Sequence, residues 1–243
     1  MSDVATRILQ SLAAVETERR RRAATPALAN AVATLKCYQQ KRFARTHANL
    51  LAHPRYGRAA NFFLNELYGP QDFTQRDSQF SRIVPALVRL FPADTVGTVE
   101  SLAAAHALSE RLDSAMAIQL AGAPPARASY VRAWQATGEA AARARQIALV
   151  MRIGAALDRH TGSFVLRAGL KAMRGPARAA GMGALQTFLE GGFDAFGAMG
   201  GAKEFLAAID ARETALSARL FDPAAVAAAT GPPAPDDLLN QLP

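Results

Sequence analysis

Apolar positions recur at three- and four-residue spacing along most of the chain, beginning with Val4, Ile8, Leu12 and Val15. That period lines up side chains on one face of an α-helix, and no stretch keeps the two-residue alternation of a half-buried strand. Thr25-Pro26 restarts the pattern, because proline at a first helical position removes only an N–H that would have no partner anyway. A second helix is therefore expected from Pro26 to about Ala52, with Leu28, Val32, Leu35, Phe43 and Leu50 inward. Tyr56, Ala60, Phe63 and Leu67 predict the next, stopped by Gly69-Pro70. Thr74 to Asp77 then reads as a capping box, with Asp72 as a rival cap, and opens a helix that Pro85 interrupts and Phe91-Pro92 closes.

In the second half, helices are expected from Asp94 to about Leu120 and from about Ala128 to Arg159, the longest. A short basic helix follows with Arg167, Lys171 and Arg174, and the final one runs from Ala202 to about Leu220. Between them, Met182, Leu185, Leu189, Phe193, Phe196 and Met199 keep helical spacing through a glycine-rich stretch, where Gly191-Gly192 should mark a close crossing or a kink. The chain is thus expected to be all-α, a bundle of about seven or eight helices with no sheet. Gly122 to Arg127, reading GAPPAR, is the clearest linker. It suggests one domain over residues 1–222 with subdomains 1–121 and 128–222, and the proline-rich remainder, 223–243, reads as a flexible tail.

Aromatic side chains are unevenly spread. Tyr56, Phe62, Phe63, Tyr68, Phe73, Phe80 and Phe91 put seven of the seventeen rings into one segment, so the core is expected to condense there. The run FFLNELYGPQDFTQRD within it, with the downstream LQTFLEGGF and FLAAIDARE stretches, resembles a block of uncharacterised bacterial all-helical proteins. The resemblance implies a helical fold and a bacterial source; no activity, cofactor or site residue comes with it.

Half of the 243 residues are hydrophobic, enough for a sizeable core. A single cysteine, Cys37, excludes an internal disulfide and cysteine-based zinc patterns, and a cytoplasmic location is expected. Asp3 precedes the first apolar positions and no apolar run approaches a membrane span, so neither export nor a transmembrane segment is expected. The net charge of +8 is distributed as +8, −3, +8 and −5 over residues 1–60, 61–120, 121–185 and 186–243. Such alternation suits either oppositely charged helices lying side by side or basic surfaces for an anionic membrane face or a polyanion, for the last of which Arg19, Arg20, Arg21, Arg22, Arg42 and Arg45 are the candidates.

Catalytic and metal-binding signatures are missing. No glutamate stands three residues before a histidine, as a di-metal bundle requires, and there is no His-Glu-x-x-His, Gly-x-Ser-x-Gly or complete phosphate loop. No pattern calls for a metal or a cofactor, although His47, His53, His106 and His160 are each formally available to a non-covalent haem. What remains is a group of charges and polar rings near the apolar segment: Glu66, Tyr68, Asp72, Arg76, Asp77 and Arg82, with His47 bordering an apolar face and Glu213 in line with Leu206, Ile209, Leu216 and Leu220. They are candidates for ligand or partner binding, and as structure they would fasten the turn. Together these features point to a non-catalytic helical adaptor or regulatory protein that binds a protein partner. The alternatives are a carrier of a small apolar ligand such as haem or lipid, and a protein that binds nucleic acid or polyphosphate. Catalysis by residues brought together from distant helices stays open.

Overall fold

The first helix, α1 (Asp3–Ala23), lays Ala5, Ile8, Leu12 and Val15 inward, as their spacing predicts. It is followed by α2 (Pro26–Thr46), the single turn α3 (Ala48–Leu51), α4 (Gly57–Glu66) and α5 (Thr74–Leu90). Next come α6 (Ala93–Gln119), α7 (Arg127–Thr137), α8 (Ala140–Thr161), α9 (Phe164–Ala172) and α10 (Arg174–Ala179). The chain ends with α11 (Gly183–Gly197), α12 (Lys203–Phe221), α13 (Ala225–Thr230) and a 3-10 turn at Leu238–Gln241. This computed structural model describes residues 3–66, 69–232 and 234–243. It is 81% helical, with no strand among the described residues, and ten of its helices have at least seven residues, more than the periodicity predicts.

Part of that excess comes from a helix that divides. The expected run from Ala128 to Arg159 breaks where Gly138 and Glu139 both take positive φ, 67° and 62°. Glycine accepts that conformation freely, but Glu139 does not, and its carboxylate is held by both terminal nitrogens of Arg111 at 2.6 and 2.5 Å. Pro85, by contrast, lies inside a continuous α5. Asp72 serves the start of that helix by accepting from the Thr74 N–H at 2.9 Å, and Asp77 turns inward instead of completing a capping box. Gly191 and Gly192 sit within an unbroken α11 as a close approach: a Cβ on Gly192 would come within 3.1 Å of the Phe62 ring.

Helix α6 lies at the centre, packed against α1, α2, α5, α7 and α8. Its adjacent residues Leu112, Asp113 and Ser114 are all buried, so over that turn only the side carrying Arg111 meets solvent. Three larger apolar clusters surround it. One joins Leu35, Tyr38, Met116, Tyr130, Trp134 and Leu216; the second joins Phe43, Tyr56, Phe63, Phe196, Phe205 and Ile209; the third joins Ile8, Leu12, Phe80, Val84, Val96 and Leu185. The ring-dense segment is shared out between the last two, and Phe91 is exposed. Clusters combine helices from both sides of the GAPPAR linker.

Several described residues between 223 and 243 pack onto the bundle. Ala225 and Ala229 of α13, together with Leu239 and Leu242, are buried in the first cluster, and Asp237 is paired with Arg219 at 2.7 Å. Docking of this segment has a measurable consequence. Leu239→Ala should destabilise the protein by about 2–5 kcal/mol in urea unfolding, the range for deleting a buried leucine side chain, whereas a free tail would leave the midpoint unchanged.

Candidate functional site

Polar groups penetrate the bundle along one face of α6. Glu110, Asp113, Ser114 and Ala117 follow one another at helical spacing, and all four are buried. Arg22 at the end of α1 and Lys36 of α2 both reach Glu110, and Arg22 also donates to the Ser114 hydroxyl at 2.9 Å. Burial by itself would raise the Glu110 carboxyl; Lys36 and Arg22 outweigh it and hold the group down at about 2. Across the core, Arg42 and the His47 Nε2 (2.8 Å) share one oxygen of Glu213. Glu213 is likewise held at about 2, against the effect of burial, chiefly by Arg42.

A third set has no such balance. Arg143 on α8 is 4% exposed and makes no ion pair among the described residues. Its guanidinium lies 4.1 Å from the centre of the Trp134 ring and bonds only to Gln146 (3.3 Å) and the Met116 sulfur (3.7 Å). Asp113, Tyr130 and Trp134 are buried nearby, and the Trp134 indole nitrogen has no hydrogen-bond partner among the described residues. Burial pushes the Asp113 carboxyl up, toward the protonated form that donates.

These groups line an internal cavity of about 180 Å³. Arg42, Asp113, Tyr130, Arg143 and Glu213 belong to its polar part, and Leu87, Val99, Leu102, Ile153, Leu185 and Leu189 to its apolar part. A second ionic group also touches the cavity: Asp77 accepts from Arg19 and stands 2.8 Å from the His106 Nε2, with Arg76 between the Phe73 and Phe188 rings at 3.8 and 4.5 Å. Burial would raise Asp77, but His106 and Arg19 bring it below the ordinary aspartate range.

The sequence-derived candidates divide accordingly. Glu66, Arg76, Asp77 and Arg42 line the cavity, with Glu66 31% exposed at its side chain and 3.4 Å from Arg76. His47 is fully buried against Glu213. Asp72 is spent on the Thr74 turn, and Arg82 is on the surface. Tyr68 lies outside the described residues.

Of the arginines proposed for a polyanion, Arg22 and Arg42 are buried and Arg19 is bound to Asp77, so these three act as internal counter-ions rather than a surface. Arg20 and Arg21 pair loosely with Glu16 and Glu18 at 3.5 and 3.8 Å, and Arg45 donates to the Leu242 carbonyl. His106 and Glu110, one turn apart on α6, face different partners inside the protein. Sequence reasoning missed Lys36, Asp113, Tyr130 and Arg143 as site residues. The legible signal was the polar stripe Glu110-Asp113-Ser114 in a helix otherwise rich in alanine and leucine; nothing in the text around Arg143 sets it apart from its arginine neighbours.

The depressed glutamates fix the sign of an acid effect. A carboxyl whose folded pKa lies below its unfolded value contributes stability above the unfolded value and loses it as pH falls through the folded one. Melting temperatures should therefore fall between pH ~4.5 and ~2 as Glu110 and Glu213 protonate. Glu110→Gln should be less stable than the parent at neutral pH by about 3–5 kcal/mol, because Arg22 and Lys36 lose their buried partner, and the gap should close toward pH 2. A gap that stays constant with pH would contradict the burial of this pair.

No curated protein and no solved structure matches the chain. One family does, over residues 18–226, a span that includes the aromatic block, α6 and every cavity-lining helix from α2 to α12, and so this chain belongs to the family described as a domain of unknown function (DUF8198).

Proposed function

We propose that this protein binds one compact anionic amphiphile inside the bundle, as a carrier or sensor rather than as a catalyst. The observation that supports this most is Arg143, a buried guanidinium that lines the cavity without a carboxylate partner. An isolated buried charge costs several kcal/mol, and a bound anion would remove that cost. The groups beside it are all able to donate: the Tyr130 hydroxyl, the Trp134 N–H and an Asp113 carboxyl pushed toward its protonated form.

Size and lining restrict the ligand further. An engineered apolar cavity of about 150 Å³ takes up benzene, and drug-sized ligands occupy about 300–1,000 Å³. At about 180 Å³ the cavity suits a medium-chain or small aromatic carboxylate and is too small for haem or a two-chain lipid. The apolar part, with Leu102, Ile153 and Leu185, would take the hydrocarbon body. The expectation of a protein partner keeps a different support, the apolar side chains exposed on the outside.

Octanoate and benzoate should each bind to the purified chain at one site in isothermal titration, and raise its melting temperature. Arg143→Leu should weaken binding by about 10- to 100-fold, the loss of one charge-assisted hydrogen bond of about 1.5–3 kcal/mol. Octanol should bind no better to the parent than to this variant. Unchanged octanoate affinity in Arg143→Leu, or no heat and no thermal shift with either acid, would sink the proposal.

A further inference from the structure

The outside of the molecule carries a second, separate feature. Six large hydrophobic side chains are exposed among the described residues, and five of them fall on two segments: Leu90 (69%) and Phe91 (46%) after α5, and Phe164 (83%), Val165 (76%) and Met173 (51%) on and after α9. Asp94, three residues beyond Phe91, lies 3.3 Å from Arg159 and 3.5 Å from His160 at the end of α8. Phe164 opens α9 only a few residues later, so both segments share one end of the bundle.

Helix α9 is apolar on its outer side. Phe164, Val165, Ala168, Gly169, Ala172 and Met173 are exposed, while Leu166, Arg167 and Leu170 are partly covered. Ser163 caps its N-terminus by accepting from the Leu166 N–H, and no buried residue holds α9 in the core. Residues 164–180 contain four basic side chains, Arg167, Lys171, Arg174 and Arg178, and no acid. Arg174 is paired with Glu190 at 2.9 Å; Lys171 and Arg178, like Arg89 beside Leu90, are exposed and make no ion pair among the described residues.

From this arrangement we infer that the α9–α10 end docks on an anionic membrane surface. Exposed phenylalanine and valine would enter the boundary between headgroups and acyl chains, while Lys171, Arg178 and Arg89 would meet lipid phosphates around them. Charge decides the occupant: a folded partner with an apolar patch would satisfy Phe164 and Val165, but the basic side chains of residues 164–180, with no acid among them, are complementary to a negative sheet. No helix among the described residues is long and apolar enough to cross a membrane, so the contact is peripheral.

Co-sedimentation with vesicles tests this on the full chain without added carboxylate. Vesicles of equal parts phosphatidylglycerol and phosphatidylcholine should retain the protein, phosphatidylcholine alone should retain it at least about ten-fold less, and rising salt should release it. Phe164→Glu with Val165→Glu should lower retention about ten-fold with an unchanged melting temperature, since both side chains lie outside the core. Lys171→Glu with Arg178→Glu should abolish the preference for the anionic vesicles.

Arg143→Leu should keep full retention, which separates this inference from the ligand proposal. Equal retention by both vesicle types, or retention that survives Phe164→Glu with Val165→Glu, would overturn it. So would a dimer in sedimentation velocity that the same double variant dissociates while vesicles retain nothing, because the end would then be an interface between two copies.

Discussion

Three arginines, Arg22, Arg42 and Arg143, are buried with four carboxyls, Asp77, Glu110, Asp113 and Glu213, and burial pushes one of those, Asp113, toward neutrality. The rest of the arrangement depends on how these charges meet, with Lys36 reaching Glu110 from the edge of the core. Each buried charge is stable only in contact with its opposite, so Glu110 fixes how α1 and α2 lie on α6, and Glu213 fixes how α12 lies on α2. A slide of either pair by one helical turn would leave ions without partners in a low-dielectric interior. Apolar contacts alone would tolerate such a slide far better, because alanine and leucine faces are nearly interchangeable. The ionic contacts therefore supply register where an alanine-rich sequence supplies little.

Local period exposed the frame of this structure and some of its interior charges. Glu213 stands in line with Leu206, Ile209, Leu216 and Leu220, so its burial follows from the same rule that buries them. His47 borders Phe43 for the same reason, and their rings lie 4.4 Å apart. Arg143 was not legible, because whether an arginine in a run such as RARQ points inward depends on the break one turn before it. That break rests on Glu139 in a left-handed conformation, stabilised by Arg111 from another helix. A long-range ion pair thus decides a local boundary, and no short window of sequence contains both partners. The packing of Leu239 and Leu242 was not legible for a similar reason: their burial depends on residues of α2, α7 and α12 far away in the chain.

The aromatic segment shows how a correct local reading can still misplace the core. Helices α4 and α5 each bury rings, yet they turn them in different directions. Phe63 meets Phe196 and Phe205 at 5.9 and 5.6 Å, whereas Phe80 joins Ile8 and Leu12. Between the two clusters, Arg76 stacked on Phe73 and Phe188 carries charge across the gap, and the cavity opens along it. Density of rings in sequence identified a crossing of two walls rather than one centre. A space lined on one side by leucines and on the other by guanidinium and carboxyl groups is the natural result of walls that diverge from such a crossing.

The alternating charge blocks settle into neighbouring helices, as Arg22 with Glu110, Arg111 with Glu139, Arg42 with Glu213 and Arg174 with Glu190 all show. Many basic side chains are thereby paired within the chain while the net charge stays +8, and a uniform basic surface for a polyanion is a poor description of what remains. Two of the remaining places are of opposite character. Inside, Arg143 faces a small cavity; outside, Lys171 and Arg178 rim an apolar helix face. The first, as a site for the proposed small anion, would bind by fit. The second is open to solvent and spread over two helices, so attraction there would fall with salt and reward a broad negative surface. The two proposed sites would thus be separate recognition problems, with ligands of different size and with different salt dependence.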